Sequence, residues 1–318
     1  MADEQLQAQV AYEDLQDLQR EFDEVETEIM RQQAKLTATL YERRAATVAQ
    51  IPRFWPLVLE QAPPDIDQYI QPSDSALLLL SLTSISVSRF ELDVAPQSLA
   101  ISFTFAPNEY FTNDVLQKKF WYRKAMDGWS GLVSEPVRID WKKGKDLTGG
   151  LLDLVIKAWE QDRGKVSGSL SAEQKSLSKK IENTGMGGAS FFAWFGFVGR
   201  RISAEESVEA NKIEAKAVAD HKAGIQTEGS GHDHGDQEDE DLALEMSLEI
   251  FPDGDDLAVA FAEDLWPGAL GYFSSAQEQD AMSDFDMESD DEAPDLAEKL
   301  DDSESDTVAP PLKKHRSQ

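Results

Sequence analysis

The carboxylates of this sequence are the side chains best able to do chemistry, and their distribution indicates the binding of cations rather than catalysis. The 318 residues include 61 acidic and 30 basic side chains, for a net charge of −31. Residues 228–306 hold 28 acidic residues against the single Lys299, whereas residues 1–227 hold 33 acidic and 26 basic residues. Such a polyanion repels nucleic acid, so no direct nucleic-acid binding is expected. The expected partner is a strongly basic protein.

Two groups of acids are the candidate contacts for that partner. The first group lies at the predicted start of a helix and along its next turns: Asp253, Asp255, Asp256, Glu263 and Asp264. The second group lies in an acidic C-terminal tail: Asp290, Asp291, Glu292, Asp301 and Asp302. The alternative for the first group is complementation of the helix dipole. The alternative for the second is a solvated tail, but 14 acids against Lys299 over residues 278–306 favour binding.

The last residues of the chain carry the opposite charge. Lys313, Lys314, His315 and Arg316 follow Pro311 and Leu312 with no acid among them. A short basic cluster of this kind predicts a nuclear import signal, and hence a nuclear protein that can also occur in the cytoplasm. The alternative is a basic end that folds back onto the acidic tail.

No pattern in the sequence predicts catalysis, a metal or a cofactor. The chain has no cysteine, no glycine-rich phosphate loop and no histidine beside a plausible nucleophile in a foldable segment. His232 and His234 flank an aspartate in a Gly/Asp-rich stretch, which favours a bare loop over a metal site. No apolar run reaches the length of a membrane span and the first residues do not resemble a signal peptide, so a soluble intracellular protein without membrane contact is expected.

A long N-terminal helix must position these groups. Apolar residues recur there at alternating spacings of three and four, with Gln32 as the one interruption: Leu15, Leu18, Phe22, Val25, Ile29 and Leu36. This heptad spacing predicts a seam that packs against another helix, and a helix of about 70 Å is too long for one small domain to cover. The favoured interpretation is homodimerisation through this row, with the last third of the helix docked on its own domain. The alternative is a long amphipathic helix packed only on its own chain.

The rest of the chain predicts an α+β fold. Apolar and polar residues alternate at 85–92 and 101–105, a further candidate strand lies at 115–124, and 137–141 is expected to pair with it. Together these segments predict a meander of roughly four antiparallel strands, with one face buried and one open. Helices are predicted at residues 74–80, 151–160, 204–221 and 255–266. The predicted domains are a dimerisation helix at 3–50, an α/β domain at 51–275 and a disordered acidic tail with a basic end at 276–318. Within the α/β domain, mobile excursions are expected near 164–189 and 226–241.

Five segments in order resemble the nucleosome assembly protein family. They are a strand-and-turn signature at 101–113, its continuation at 116–120, a Trp-Lys-Lys-Gly-Lys-Asp-Leu-Thr segment at 141–148, an aromatic box at 190–195, and a closing helix and exit at 263–273. The aromatic box is most similar to the SET/template-activating-factor branch. Two features depart from the pattern, since Glu109 stands where the family usually has proline and the segment 200–245 is long.

The resemblance implies a non-enzymatic histone chaperone. It implies a dimer joined by the long helix, in which each protomer carries an α/β "earmuff" domain whose acidic underside and acidic tail bind core histones. A second hypothesis is a regulatory or scaffold subunit that presents histones to, or inhibits, a partner such as a histone acetyltransferase or a phosphatase. A third is an acidic mimic of DNA.

Overall fold

The computed structural model describes residues 12–162, 170–184, 189–223 and 236–288. The helices are α1 Tyr12–Val48, α2 Phe54–Glu60, α3 Pro64–Asp67, α4 Pro72–Ser81, α5 Leu151–Asp162, α6 Ala172–Thr184, α7 Ala204–Lys222, α8 Asp236–Met246, α9 Gly254–Ala260 and α10 Trp266–Glu288. The strands are β1 Leu82–Ser88, β2 Leu99–Phe105, β3 Val115–Lys124 and β4 Ser130–Ser134. Residues up to Gln277 belong to one compact unit, and Glu278 begins a second one. The fold is therefore α+β, with a long N-terminal helix ahead of a four-stranded sheet.

The sheet is the expected antiparallel meander, in the order β1-β2-β3-β4. Its buried face includes Ile85, Ile101, Phe103 and Phe120. Ser86 of β1 and the residue paired with it on β2 lie on the more open face. This alternation of buried and exposed residues follows from the two-residue period of a strand. One buried and one open face are confirmed.

The fourth strand is not the segment that the alternating pattern predicted. β4 is Ser130–Ser134, which pairs with β3 across the turn at Gly128, a glycine with φ 87°. Residues 137–141 form no strand. Their Val137 amide donates to the Phe195 carbonyl at 2.8 Å, and Trp141 forms an isolated bridge to Phe111. The prediction of a strand at 137–141 was wrong. These residues alternate in burial as a strand does, but they contact irregular segments and not a neighbouring strand.

An aromatic cluster fills the space under the sheet. The short 3-10 helix Phe191–Gly196 is buried throughout, and its side chains contact Phe103 of β2 in edge-on geometry at ring-centroid distances of 5.7–6.1 Å. Asp74 of α4 binds the start of this helix, where its carboxylate accepts hydrogen bonds from the Ser190 hydroxyl at 2.6 Å and the Phe191 amide at 2.7 Å. The predicted aromatic box is thus the centre of the core, and Asp74 ties it to α4.

Helix α4 starts before Asp74, the first residue of the helix predicted at 74–80. The helix begins two residues earlier, at Pro72, and Gln71 is the N-cap. Asp74 occupies the third helical position and accepts a hydrogen bond from the Gln71 amide at 3.0 Å, as in a capping box. Burial raises the pKa of Asp74, and its bonds from Ser190 and Phe191 oppose that shift.

Two of the motif segments contact each other on the surface. Lys142 donates from its Nζ to the Asn108 carbonyl, and Lys145 pairs with Glu109 at 2.5 Å. The Asn108 side chain also accepts the amides of Tyr110 and Phe111 at 2.9 and 3.0 Å. The glutamate that replaces the family's usual proline therefore forms an ion pair with the second motif.

A lysine and a glutamate are buried on either side of residues 195–199. Lys118 of β3 is fully buried, and its Nζ donates to the carbonyls of Glu135 at 2.9 Å, Phe195 at 3.2 Å and Phe197 at 2.9 Å. Burial lowers the pKa of Lys118 to about 7, although the charges of Glu249 and Glu135 oppose the shift. The carboxylate of Glu249 accepts the amides of Val198, Gly199 and Phe251 at 2.9–3.0 Å, and burial raises its pKa.

Two segments expected to be mobile contain helices. In the excursion at 164–189, α6 packs on α5 and buries Leu177; residues 163–169 and 185–188 lie outside the described residues. In the excursion at 226–241, α8 begins at Asp236, and residues 224–235 are outside the described part. The polar composition of both segments concealed helices that the tertiary context supports. The helix expected at 204–221 is confirmed as α7.

The closing helix is longer than expected. α9 continues through a π-helical segment, Phe261–Leu265, into α10, which runs to Glu288. Proline and glycine at 267 and 268 suggested an exit from the helix, yet the helical run continues through them; Pro267 directly follows the π-helical segment, where the regular α-helical hydrogen-bond pattern is already interrupted. Ala276 is buried, so the folded domain passes the predicted boundary at residue 275. Residues 289–318 lie outside the described residues.

Candidate functional site: an acidic surface and an exposed apolar helix face

The first predicted acids meet at the start of α9. Asp253 precedes the helix, and Asp255 and Asp256 occupy its first turn, where their charge favours the helix dipole. Burial raises the pKa of Asp255, and the negative charges of Asp256 and Asp253 raise it further. Hydrogen bonds from the backbone amides of Asp255 and Asp256 oppose this shift. The structure therefore places three carboxylates close enough to affect one another.

Tyr69, which the sequence analysis did not select, binds this group. Its hydroxyl donates to Asp253 Oδ2 at 2.9 Å. Burial, this hydrogen bond and the charges of Asp253, Asp256 and Asp65 together raise the pKa of Tyr69 to about 12. Asp65, in the first turn of α3, thereby joins the acidic surface, which we define as Asp65, Asp253, Asp255 and Asp256. The Pro-Pro pair before Asp65 signals a helix start but not its proximity to α9.

Glu263 and Asp264 lie on the π-helical segment. Glu263 is paired with Arg89 at 3.4 Å, and Asp264 accepts the Tyr272 hydroxyl at 2.7 Å. Burial, with the hydrogen bond to Asp264 and its charge, raises the pKa of Tyr272 to about 12. Glu263 and Asp264 therefore each have a partner within the chain, in contrast to carboxylates that face only water. The partners Arg89 and Tyr272 were missed by sequence reasoning because no local pattern marks them.

Two further groups of predicted site residues fall in the part of the chain that the structure does not describe. The tail acids Asp290, Asp291, Glu292, Asp301 and Asp302 and the basic end Lys313, Lys314, His315 and Arg316 all lie outside the described residues. His232 and His234 do so as well.

The predicted apolar row of α1 faces away from the chain's own core. Its six members are between 52% and 75% exposed: Leu15, Leu18, Phe22, Val25, Ile29 and Leu36. Exposed leucine, isoleucine and phenylalanine side chains in one row along a helix are an unusual surface for a protein and mark an interaction face.

The polar side of α1 contacts its own domain. Near the middle of the helix, Arg31 donates to the Leu92 carbonyl at 3.1 Å, and Thr27 accepts a bond from the Gln97 side chain at 3.1 Å. Nearer the N-terminus, Asp17 lies 2.7 Å from His221 of α7. The expectation that only the last third docks on the domain was therefore too narrow, since polar contacts extend along the helix.

The last third of α1 does pack on its own domain. Val48 is buried, and Tyr41 lies 3.9 Å from Trp266 between ring centroids. The Arg44 guanidinium lies over both of these rings, and its Nη1 donates to the Trp266 carbonyl at 2.5 Å. Burial lowers the pKa of Arg44. This aromatic and cationic stack joins α1 to the start of α10.

Among the residues that the structure describes, no helix is both long enough and apolar enough to cross a membrane. Nor do the described residues bring together three side chains of the types that hold a metal ion.

The described fold thus combines a sheet with one helix-covered face, an acidic surface and an exposed apolar helix face. The family model "Nucleosome assembly protein (NAP)" matches residues 8–276. The chain belongs to the nucleosome assembly protein family. Its family and fold are those of non-enzymatic proteins.

Individual relatives support the same assignment. A nucleosome assembly protein of Schizosaccharomyces pombe is 40% identical over 153 residues, which are 45% of this chain and 62% of that protein. Human nucleosome assembly protein 1-like 1 is 31% identical over 153 residues, 46% of this chain and 34% of that protein. The chain thus matches less than two thirds of the length of either relative.

Solved structures share the fold over most of its length. The crystal structure of Ccp1 covers 84% of this chain and 95% of its own, with 27% identity and a TM-score of 0.50. The crystal structure of the Vps75 histone chaperone covers 83% of this chain and 97% of its own, with 24% identity and a TM-score of 0.50. The long helix followed by a helix-covered antiparallel sheet is therefore the fold of these proteins.

Proposed function

We propose that this protein is a histone chaperone that binds core histones stoichiometrically, shields their basic surfaces and assists the assembly and disassembly of nucleosomes. Membership of the nucleosome assembly protein family and the acidic surface at α9 support the proposal. A carboxylate surface attracts the lysine and arginine side chains of histones, and the attraction falls as salt screens it. Such a protein acts on chromatin, so we place it in the nucleus, with the basic end as its import signal.

The observation that carries the proposal is the crowding of carboxylates around Tyr69. Asp253, Asp256 and Asp65 each raise the pKa of this tyrosine through their charges, so their negative potentials add at one place. A cationic partner relieves the mutual repulsion of such carboxylates. Binding is therefore favoured at this surface over an isolated acid.

Neutralising the surface tests the proposal. A variant with Asp253→Asn, Asp255→Asn and Asp256→Asn should bind a core histone complex at least about fivefold more weakly at low salt, equivalent to about 1 kcal/mol. The matched control, Glu205→Gln, Glu206→Gln and Glu209→Gln on α7, removes the same charge from another helix and should bind nearly as well as the parent. Fluorescence titration at two salt concentrations measures both.

A truncation after Glu288 separates the tail from the folded domain without cutting α10. The truncated chain should retain a salt-dependent affinity that the Asp253, Asp255 and Asp256 substitutions reduce further. Equal losses in the surface variant and its control would refute the surface as a specific site. If the full chain binds unrelated basic proteins as tightly as histones and does not keep histones from DNA, the chaperone function itself is refuted.

We further propose that two chains pair through the exposed apolar row of α1. The polar side of α1 is already bound to its own domain at Arg31, Thr27 and Asp17, so the apolar row is directed outward. Pairing two such rows removes about 25 cal/mol of unfavourable hydration for each Å² buried. A homodimer would carry two acidic surfaces at a fixed separation and gain avidity for a histone complex.

Charges placed in the row test the dimer. Phe22→Asp with Ile29→Asp should produce a monomer in sedimentation equilibrium, because each interface would bury four carboxylates. Gln16→Asp with Gln33→Asp adds the same charge beside the row and should remain dimeric. A double variant at Phe22 and Ile29 that stays dimeric would contradict the pairing.

A further inference from the structure

We infer that α7 is a strut, held mainly by charge, that fixes the first third of α1 against the sheet and releases it when those charges are screened. The inference concerns the position of α1 within one chain and does not depend on what the acidic surface binds.

Three polar contacts join α7 to the first third of α1. His221 Nδ1 lies 2.7 Å from Asp17 Oδ2, Arg20 lies 3.6 Å from Glu214, and Lys222 lies 3.6 Å from Glu21. The hydrogen bond from His221 keeps the pKa of Asp17 below its usual value, and the charges of His221, Arg20 and Lys222 act in the same direction. The contacts of Arg20 and Lys222 each pair opposite charges across the two helices, and the contact of His221 does so when its imidazole is protonated.

The same helix is anchored to the sheet. Lys124, at the end of β3, pairs with Glu214, and its backbone amide donates to the Ser207 hydroxyl at 2.9 Å. Glu214 therefore contacts Arg20 of α1 and Lys124 of β3 at once. This single carboxylate links α1, α7 and the sheet.

Little apolar burial supports α7. Its buried residues are Ser207 and Ala210, whereas Val208 and Ile213 remain 53% and 45% exposed. Partly exposed ion pairs each contribute about 0–1 kcal/mol and weaken with salt. By contrast, the last third of α1 is held by Val48 and the stack of Tyr41 on Trp266, which salt does not screen. Release is therefore confined to the N-terminal part of the helix.

Two spin labels measure the strut in the full chain, which has no cysteine of its own. Gln16→Cys and Ala217→Cys place labels on exposed positions of α1 and α7 that take part in none of these ion pairs. The samples are diluted with unlabelled chain so that each distance lies within one chain. The distance distribution should be narrow at about 0.1 M salt and become broader and longer at about 1 M, where the Debye length falls from about 10 Å to about 3 Å. Labels at Glu42 and Gln277, near the apolar contact of α1 with α10, should give the same distribution at both salt concentrations.

Charge reversal identifies the groups responsible. Glu214→Lys should broaden the distribution between 16 and 217 already at low salt, because it repels both Arg20 and Lys124. Glu209→Lys reverses a charge on the same helix and should leave the distribution narrow, because the ion pair that Glu209 forms among the described residues is with Lys212 of α7 itself. Adding Arg20→Glu and Lys124→Glu to Glu214→Lys should restore the narrow distribution, which a merely misfolded variant would not do. A distribution unchanged at high salt, or identical effects of the two α7 variants, would overturn the strut.

Discussion

The buried charges beside the aromatic helix and the exposed charges at α9 differ in what they are bonded to. Lys118 donates to three carbonyls, and Glu249 accepts three amides. At the surface, Asp253 and Asp264 each accept one tyrosine hydroxyl. An ionised carboxylate has about four acceptor positions. The core charges are therefore committed to the fold, while the surface carboxylates keep capacity for a cationic partner.

The largest effect should follow from removing the buried lysine. Lys118→Ala leaves three carbonyls without their donor and opens a cavity among aromatic side chains, at a cost on the order of 3 kcal/mol or more in the free energy of unfolding. The neighbouring Lys119 is exposed and lies 5.3 Å over the Phe90 ring, so Lys119→Ala should cost less than about 1 kcal/mol. Chemical denaturation of the two variants measures the difference.

Similar free energies of unfolding of the Lys118→Ala and Lys119→Ala variants would contradict this expectation, because the buried and the exposed lysine would then contribute alike to stability. Histone binding by the same variants tests the difference between buried and exposed charges a second time. Lys118 does not reach the surface, so Lys118→Ala should leave the affinity of the folded protein unchanged, in contrast to the substitutions at Asp253, Asp255 and Asp256.

Local sequence patterns correctly predicted the elements in which apolar residues recur at a regular spacing. Residues 101–105 alternate in the sequence as they do in the sheet, and the heptad row of α1 is exposed along one side. The burial of Lys118 could have been found in the same way. It lies between Leu116 and Phe120 on the inward side of β3, so strict alternation places its side chain in the core.

Tertiary contacts decided what the local patterns could not. Val137, Ile139 and Trp141 alternate like a strand, yet this segment is held by Phe195 and Phe111 rather than by a neighbouring strand. The acidic surface required Asp65, which is far from Asp253 in sequence and lies near it because α3 packs against α9 and Tyr69 binds Asp253. Ion pairs between α1 and α7 likewise depend on the fold and leave no local signature.

The smallest effect should follow from removing the two hydroxyls that bind surface acids. Tyr69→Phe with Tyr272→Phe should lower the free energy of unfolding at pH 7 by about 1 kcal/mol or less for each tyrosine, because the bonds are partly exposed to water. Tyr41→Phe, which retains its ring contact with Trp266, serves as the control. Urea unfolding measures all three proteins.

The pH dependence of this pair tests whether the fold favours the protonated hydroxyls, through burial and through their hydrogen bonds to Asp253 and Asp264. Tyrosine in an unfolded chain has a pKa of about 10, whereas the pKa values of Tyr69 and Tyr272 are raised to about 12 in the fold. Between these values the folded state holds more protons than the unfolded state, so the stabilisation by the two hydroxyls is complete below pH 10 and is lost as the pH rises towards 12. The stability gap between parent and double variant should therefore shrink from pH 9 to pH 11. A gap that stays constant over this range would mean that the fold does not favour the protonated hydroxyls, either by burial or by their bonds to Asp253 and Asp264.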